Sequence, residues 1–271
     1  MSGWPFREPG AVVAMIHVGA LPGTPASRAG VEELAEGAAR EAAVYRECGA
    51  DGVLVENMHD TPYLRGSVGP EVVAALAVVC RAVREEARLP AGVQVLAAAN
   101  AEALAVAHAA GLDFIRAEGF AFAHVADEGI IQSSAAELLR FRRRIGAERV
   151  QVWADVKKKH SSHAITADLR LGETCAAVEF MRGDAVIVTG SATGDPPRAA
   201  DVAEARSRCR LPVLVGSGVT PENVAEFYPA ADALIVGSYF KRDGLWSNPV
   251  ERGRVGRLLD AVRHLRARAA V

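Results

Sequence analysis

Val213-Leu-Val-Gly-Ser-Gly-Val219, running into Thr220-Pro-Glu-Asn223, is the stretch on which the fold turns. A short β-branched run ends in a Gly-Ser-Gly turn, where glycine lets the backbone approach a ligand closely. Thr220 as a cap and Pro221 as first helical residue then predict a helix start, whose free N–H groups attract anions, phosphate above all. Further along, Ala233-Leu-Ile-Val-Gly-Ser238 repeats the strand–Gly–Ser theme. Two such turns in consecutive βα units predict a (β/α)8 barrel that holds a phosphate after its last two strands. Gly216, Ser217, Gly218, Gly237 and Ser238 are the residues expected to hold it.

Outward from that stretch, apolar β-rich runs recur with helical patterns between them. Strands are expected at Val12–His17, Gly52–Glu56, Val93–Leu96, Phe114–Glu118, Val150–Val156, Ala185–Thr189, Val213–Val215 and Leu234–Val236. They are near-continuous rather than alternating, as parallel strands covered on both faces should be. Between them the 3.6-residue period appears in the stripes Val31/Leu34/Ala35/Ala38/Ala42, Val72/Leu76/Val79/Cys80/Val83, Leu138/Leu139/Ile145 and Val255/Leu258/Leu259/Val262/Leu265. Pro90, Gly111 and Pro212 fall where helices should stop. No Ser- or Pro-rich linker divides the chain, so residues 1–271 are read as one barrel domain with residues 1–10 as a lead-in. A doubly wound open sheet is the architectural rival, but eight βα units in this length favour closure.

Half of the 271 residues are apolar and 24% are charged, the balance of an ordinary soluble protein. The formal net charge of −2 gives no electrostatic case for nucleic acid or an anionic membrane as partner. Arg140–Arg144 and Arg252–Arg268 read as solvated helix faces paired with acids. Cys48, Cys80, Cys175 and Cys209 are scattered without CxxC spacing, which suggests buried reduced thiols rather than zinc ligands or disulfides. No apolar run reaches a membrane span of roughly 18 residues, and no signal-peptide pattern opens the chain. A cytoplasmic location is therefore expected. Barrels of this kind often form homo-oligomers, but no particular helix advertises an interface.

Functional residues of such barrels lie at the C-terminal strand ends and in the loops after them. Read in order, those ends are His17, Glu56 with Asn57, Asn100, Arg116 with Glu118, Asp155 with Lys157, and Thr189. Glu56 closes Gly-Val-Leu-Val-Glu, and partial desolvation at a barrel mouth would suit it to general acid or base work. The bland alternative is a salt bridge to Arg116 or Lys157. Trp153-Ala-Asp-Val-Lys-Lys-Lys-His-Ser-Ser-His163 is the densest polar cluster. Strand alternation would put Asp155 and Lys157 on one face, both in the mouth, and leave Lys158 with a structural part. Beside an aspartate, Lys157 suits charge pairing or proton transfer better than imine chemistry.

His160 and His163 could complete an N/O metal site with Asp155 or Glu56, but loop spacing fixes no ligand geometry, so a divalent metal stays open as cofactor. Thr189-Gly-Ser-Ala-Thr-Gly-Asp-Pro-Pro197 is a further Gly/Ser/Thr loop, expected to join the two glycine turns in one anion-binding rim. Leu21-Pro-Gly-Thr-Pro25 reads as either a cover for the mouth or a plain tight connection.

Taken together, Met15-Ile-His-Val-Gly-Ala-Leu-Pro-Gly-Thr-Pro25, Gly52-Val-Leu-Val-Glu-Asn57, Asp127-Glu-Gly-Ile-Ile131, Ala154-Asp155 with Lys159-His160, Thr189–Pro196, Val213–Val224 and Asn248-Pro249 resemble the BtpA family. The motifs occur in order over nearly the whole chain. The resemblance implies a (β/α)8 barrel of the ribulose-phosphate-binding type. The family is named for a role in photosystem I biogenesis, yet it is similar to metabolic enzymes and extends to non-photosynthetic organisms. Many members carry Arg-Asn-Asp after the third strand, where this chain has Ala97-Ala-Ala99 before Asn100. That departure implies relocated substrate contacts or a different ligand.

The leading expectation is a barrel enzyme acting on a phosphorylated sugar or nucleoside-like metabolite by isomerisation, lyase cleavage or glycosidic-bond hydrolysis. Glu56 and Asp155 would transfer protons, and Lys157 would stabilise developing negative charge. His17, Asn57, Asn100, Arg116, Glu118 and Thr189 would contact the substrate. Two rivals are a non-catalytic assembly factor for a membrane complex and a metal-dependent hydrolase using His160 and His163.

Overall fold

A computed structural model describes residues 3–269. Eight parallel strands close into a barrel: β1 (Ala11–His17), β2 (Gly52–Glu56), β3 (Ala91–Gln94), β4 (Phe114–Ala117), β7 (Gln151–Val156), β9 (Ala185–Val188), β10 (Val213–Val215) and β11 (Ala233–Val236). Three short strands outside the barrel, β5 (His124–Ala126), β6 (Gly129–Ile131) and β8 (Ser161–Ser162), form a small antiparallel sheet beside its mouth. The helices are α1 (Val31–Cys48), α2 (Pro70–Ala87), α3 (Asn100–Ala110), α4 (Ala135–Arg144), α5 (Leu171–Phe180), α6 (Ala199–Arg208), α7 (Val224–Phe227) and α8 (Arg252–Ala269). No described helix is long and apolar enough to cross a membrane.

Two apolar cores follow from strand alternation. Outward positions such as Val12, Ala14, Ile16, Val53 and Val55 pack under the helices, joined by the buried stripes of α1, α2 and α8. Inward positions such as Val13, Met15, Leu54, Phe114, Trp153, Ile187, Leu214 and Ile235 fill the barrel. At the bottom, Phe114 stacks on Trp153 at 3.5 Å, and Trp4 and Phe6 of the lead-in close over them with ring centroids 5.4 and 6.1 Å from Trp153. Gly92 makes room for this, because a Cβ there would sit 2.1 Å from the Phe114 ring. The same alternation turns His17, Glu56, Gln94, Arg116 and Asp155 inward one layer above the plug.

Several expectations need correction. The third strand ends at Gln94 rather than Leu96, and Val95-Leu96-Ala97 continues as apolar loop. After the seventh barrel strand no helix starts at Pro221: α7 begins only at Val224. Thr220 instead donates its N–H to Asn223 Oδ1 at 2.8 Å, and the Asn223 amide donates to Gly218 O at 2.8 Å, so the segment is a tied turn. The Leu21–Pro25 segment is a tight connection, pinned by Leu21 N–H to Asp60 at 2.8 Å, and lines no part of the mouth cavity.

Candidate functional site

The mouth holds two adjoining chambers of about 180 and 300 Å³, called inner and outer respectively, which share Glu56, Met58, Arg116, Lys159 and Thr193 as walls. Gly216–Thr220, Gly237–Tyr239 and Arg254 line the inner chamber. Among the described residues, the N–H groups of Ser217, Gly218 and Val219 have no acceptor, which leaves them free for a ligand. The Ser217 hydroxyl is already spent: it accepts from Gly190 N–H at 2.9 Å and donates to Asp195 O at 2.7 Å. Those bonds lay the 190–196 loop on the turn. Gly218 permits the contact, since its φ is +65° and a Cβ would lie 2.2 Å from Pro196 N. Gly237 packs on His17 in the same way, a Cβ there falling 3.2 Å from the imidazole.

Arg254 lies on α8, in a run read from sequence as solvated. Its Nε donates to Tyr239 O at 2.6 Å and its guanidinium stacks 4.5 Å from the Tyr239 ring, which holds it at the inner chamber. Elsewhere in the two arginine runs Arg142, Arg252 and Arg266 pair with Asp184, Glu47 and Asp51, while Arg140 donates to Ala136 O and Arg144 lies over the Phe141 ring.

Glu56 is buried and accepts no hydrogen bond from the described residues; its nearest polar partner is His17 Nε2 at 3.6 Å. The alternative reading of Glu56, a salt bridge to Arg116 or Lys157, is not formed among the described residues. Burial raises the carboxyl's pKa, against the opposing pull of Arg116 and Lys159. His17 donates from Nδ1 to Trp246 O at 2.9 Å, and burial lowers its pKa to about 3, so it is a neutral imidazole with its Nε2 lone pair toward Glu56.

Asp155 does not face the chambers. Arg116 donates to both its oxygens at 2.9 Å in a buried bidentate pair, which holds the guanidinium against the shared wall. Burial opposes the Arg116 charge, but Asp155 and the nearby Glu56 outweigh it and lift the pKa further. The predicted Asp155/Lys157 face is not formed. The strand ends at Val156, Lys157 takes a left-handed φ of 46°, and its ammonium donates to Leu169 O at 2.5 Å, away from both chambers.

Its neighbours take the mouth instead. Lys158, assigned a structural part from sequence, pairs with Glu118 at 3.0 Å and lines the outer chamber. Lys159 lines both chambers, makes no ion pair among the described residues, and has its pKa lowered by burial and by the Arg116 charge. Sequence reasoning stopped at Lys157 and did not name it as a site residue; past the strand end at Val156 the alternation lapses, and Lys158 and Lys159 both reach the chambers.

The remaining expected contacts divide. Glu118 lines the outer chamber, its pKa raised by burial, with one oxygen on Lys158 and the other accepting Ala98 N–H at 3.2 Å. Asn57 is buried behind the wall, bonded to Asp60 and accepting Leu96 N–H at 2.8 Å. Asn100 donates to Glu118 O at 2.7 Å and to Ser134 at 2.9 Å, outside the chambers. Thr189 accepts Lys159 N–H at 3.1 Å and so positions that lysine's backbone.

His160 Nε2 accepts the Thr193 N–H at 3.0 Å, and His163 faces Lys158 O at 3.0 Å. Among the described residues, no group of three or more His, Cys, Asp or Glu side chains is placed to hold a metal ion. Gln94, Tyr63, Trp246 and Glu128, all in the outer chamber, were not singled out from sequence.

Fold and mouth together define the class: a (β/α)8 barrel whose last two strand ends present glycine turns to a chamber of buried ionisable groups. The sequence profile of the BtpA family matches residues 8–264, and the chain belongs to that family. It is 44% identical over 260 residues to an uncharacterised mitochondrial protein of Caenorhabditis elegans, covering 94% of both chains. It is 31% identical over 258 residues to the photosystem I biogenesis protein BtpA of a Synechocystis strain, covering 95% of this chain and 89% of that one. Among solved structures it is similar to a Mycobacterium tuberculosis tryptophan synthase (TM-score 0.60, 19% identity, 94% and 93% covered). It is also similar to a Pyrococcus furiosus thiamine phosphate pyrophosphorylase (TM-score 0.58, 12% identity, 94% and 96% covered).

Proposed function

We propose that this chain is an enzyme that performs acid/base chemistry on a phosphorylated metabolite bound in the mouth. The observation that carries the proposal is Glu56: a buried carboxyl without a hydrogen-bond partner, facing the chamber that the two glycine turns line. The phosphate would sit against the free N–H groups of residues 217–219 with Arg254 beside it. Glu56, its pKa raised by burial, and Lys159, its pKa lowered by burial and by Arg116, are the two groups on the shared wall proposed to move protons to and from the substrate. Arg116, oriented by Asp155, would stabilise the negative charge that develops between them. Two such groups on one wall support proton-shift isomerisation, and the same pair serves lyase cleavage or glycosidic-bond hydrolysis. A solved neighbour named for thiamine phosphate shares the fold, and the proposal agrees with that name.

The test is a thermal-shift and 31P NMR screen of phosphorylated sugars and nucleotides, followed by turnover of any compound that binds. Glu56→Gln and Lys159→Met should each reduce turnover about 10²–10⁴-fold while leaving phosphate binding intact. If no phosphorylated compound raises the melting temperature, the proposal fails.

A second reading, a non-catalytic assembly factor, draws on the name of the Synechocystis relative. It expects Glu56→Gln to retain full biological function, which separates the two readings. The metal-dependent hydrolase loses its support, since His160 and His163 meet backbone groups and Thr193 rather than each other.

A further inference from the structure

The outer chamber contains polar groups that the barrel itself leaves unused. Gln94 is 2% exposed, turns inward above Gly92, and makes no side-chain hydrogen bond among the described residues; its Oε1 is buried without a partner. It stands in register with Glu56 on the adjacent strand, and Glu56 in turn with His17. On the turn between β5 and β6, lining the same chamber, Glu128 Oε2 is likewise buried and unpartnered. A buried amide or carboxylate oxygen without a donor is costly, and on a chamber wall a ligand can supply the missing donor.

The lining of the chamber is of two kinds. Leu96, Ala97, Tyr63 and Trp246 give it apolar and aromatic surface, while Gln94 and Glu128 give it hydrogen-bonding edges. A flat ring bearing adjacent N–H and C=O or ring-nitrogen groups satisfies both, as a carboxamide pairs with a nucleobase edge through one donated and one accepted bond. A sugar hydroxyl would satisfy Gln94 but leave the aromatic surface uncovered. Glu56 and Lys159 stand on the wall common to both chambers, between the ring and the glycine turns.

We infer that the outer chamber binds a planar nitrogen heterocycle, read by Gln94 and Glu128, of a ligand whose phosphate lies in the inner chamber: a nucleoside 5′-phosphate or a close relative. This rests on the phosphate reading above.

The test uses the full chain and isothermal titration with the four common nucleoside 5′-monophosphates, the matching nucleosides, ribose 5-phosphate and inorganic phosphate. One nucleotide should bind at least ten times tighter than ribose 5-phosphate. Gln94→Met, matched in length but unable to hydrogen-bond, should weaken that nucleotide by about 10- to 100-fold and leave ribose 5-phosphate unchanged. Gln94→Leu, checked for native circular dichroism, serves if the methionine variant does not fold. The inference is overturned if no nucleotide exceeds ribose 5-phosphate, or if the Gln94 variants weaken both equally. Should nucleosides bind in a Gln94-dependent way while phosphate adds nothing, the ring site stands and the phosphate reading falls.

Discussion

At the scale of a single residue, the proposed chemistry rests most on Glu56, whose environment can be measured through stability alone. Its folded pKa lies above the ordinary 4.5, with burial as the largest cause. In such a group the penalty is absent below the unfolded value, where both states are protonated. It grows as pH rises from the unfolded toward the folded pKa, where the unfolded chain ionises and the folded carboxyl resists, and it is complete above the folded pKa. His17 works in the opposite direction, since a pKa lowered from 6.5 to about 3 removes stability as pH falls through that window. Comparing Glu56→Gln with the parent cancels the His17 contribution, which both proteins share. The two should denature at the same urea concentration near pH 4, and the glutamine variant should be the more stable near pH 8. Urea midpoints across that range would settle the matter; a gap that narrows on raising pH would show that Glu56 is held as a charged, stabilised carboxylate.

At the scale of elements, the decisive unit is a turn laid on a loop, the 216–218 glycine turn against residues 190–196. Gly218→Ala combines a strained φ of +65° with a Cβ 2.2 Å from Pro196 N, so the loop must move. The variant should lose about 1–3 kcal/mol of stability and at least tenfold in phosphate affinity. Gly146→Ala, also at positive φ but with open space around its Cβ, should lose stability without the affinity defect. Calorimetry and phosphate titration of the pair separate strain from site damage. This turn was legible because glycine and short β-branched runs announce themselves. β2 and β10 were read to the residue for the same reason. Gln94 was not, because Val95-Leu96-Ala97 extends the apolar run past the point where pairing stops, which moved the expected strand end beyond it. The left-handed residue at Lys157, which no residue pattern marks, took that lysine out of the mouth, and Lys159 two positions on stands there in its place. The β5–β6 hairpin, with strands of three residues, is too short to show a period.

At the scale of the whole molecule, the end opposite the site repeats one device around the barrel. Asp51, Asp113, Asp184 and Asp232 each immediately precede every second barrel strand, and each accepts the N–H of the strand before: Val12 at 2.7 Å, Ala91 at 2.9 Å, Val152 at 2.8 Å and Val213 at 2.7 Å. The same aspartates return their own N–H to the carbonyls of those four residues at 2.8–2.9 Å. An arginine from a helix pairs with each: Arg266, Arg84, Arg142 and Arg206. Four βαβ quarters are thus clamped in the same way, at the face where conserving stability does not constrain chemistry. An Asp→Ala change at any clamp frees a strand N–H and an arginine together, so each should cost about 1–3 kcal/mol. Clamps in separate quarters share no partner, so Asp51→Ala with Asp184→Ala should add to within about 0.5 kcal/mol, and binding at the mouth should not change. Urea unfolding of the two singles and the double would check it. A double far short of the sum would mean that the quarters unfold in sequence rather than as one barrel, and that the repeat is local bracing rather than a global closure.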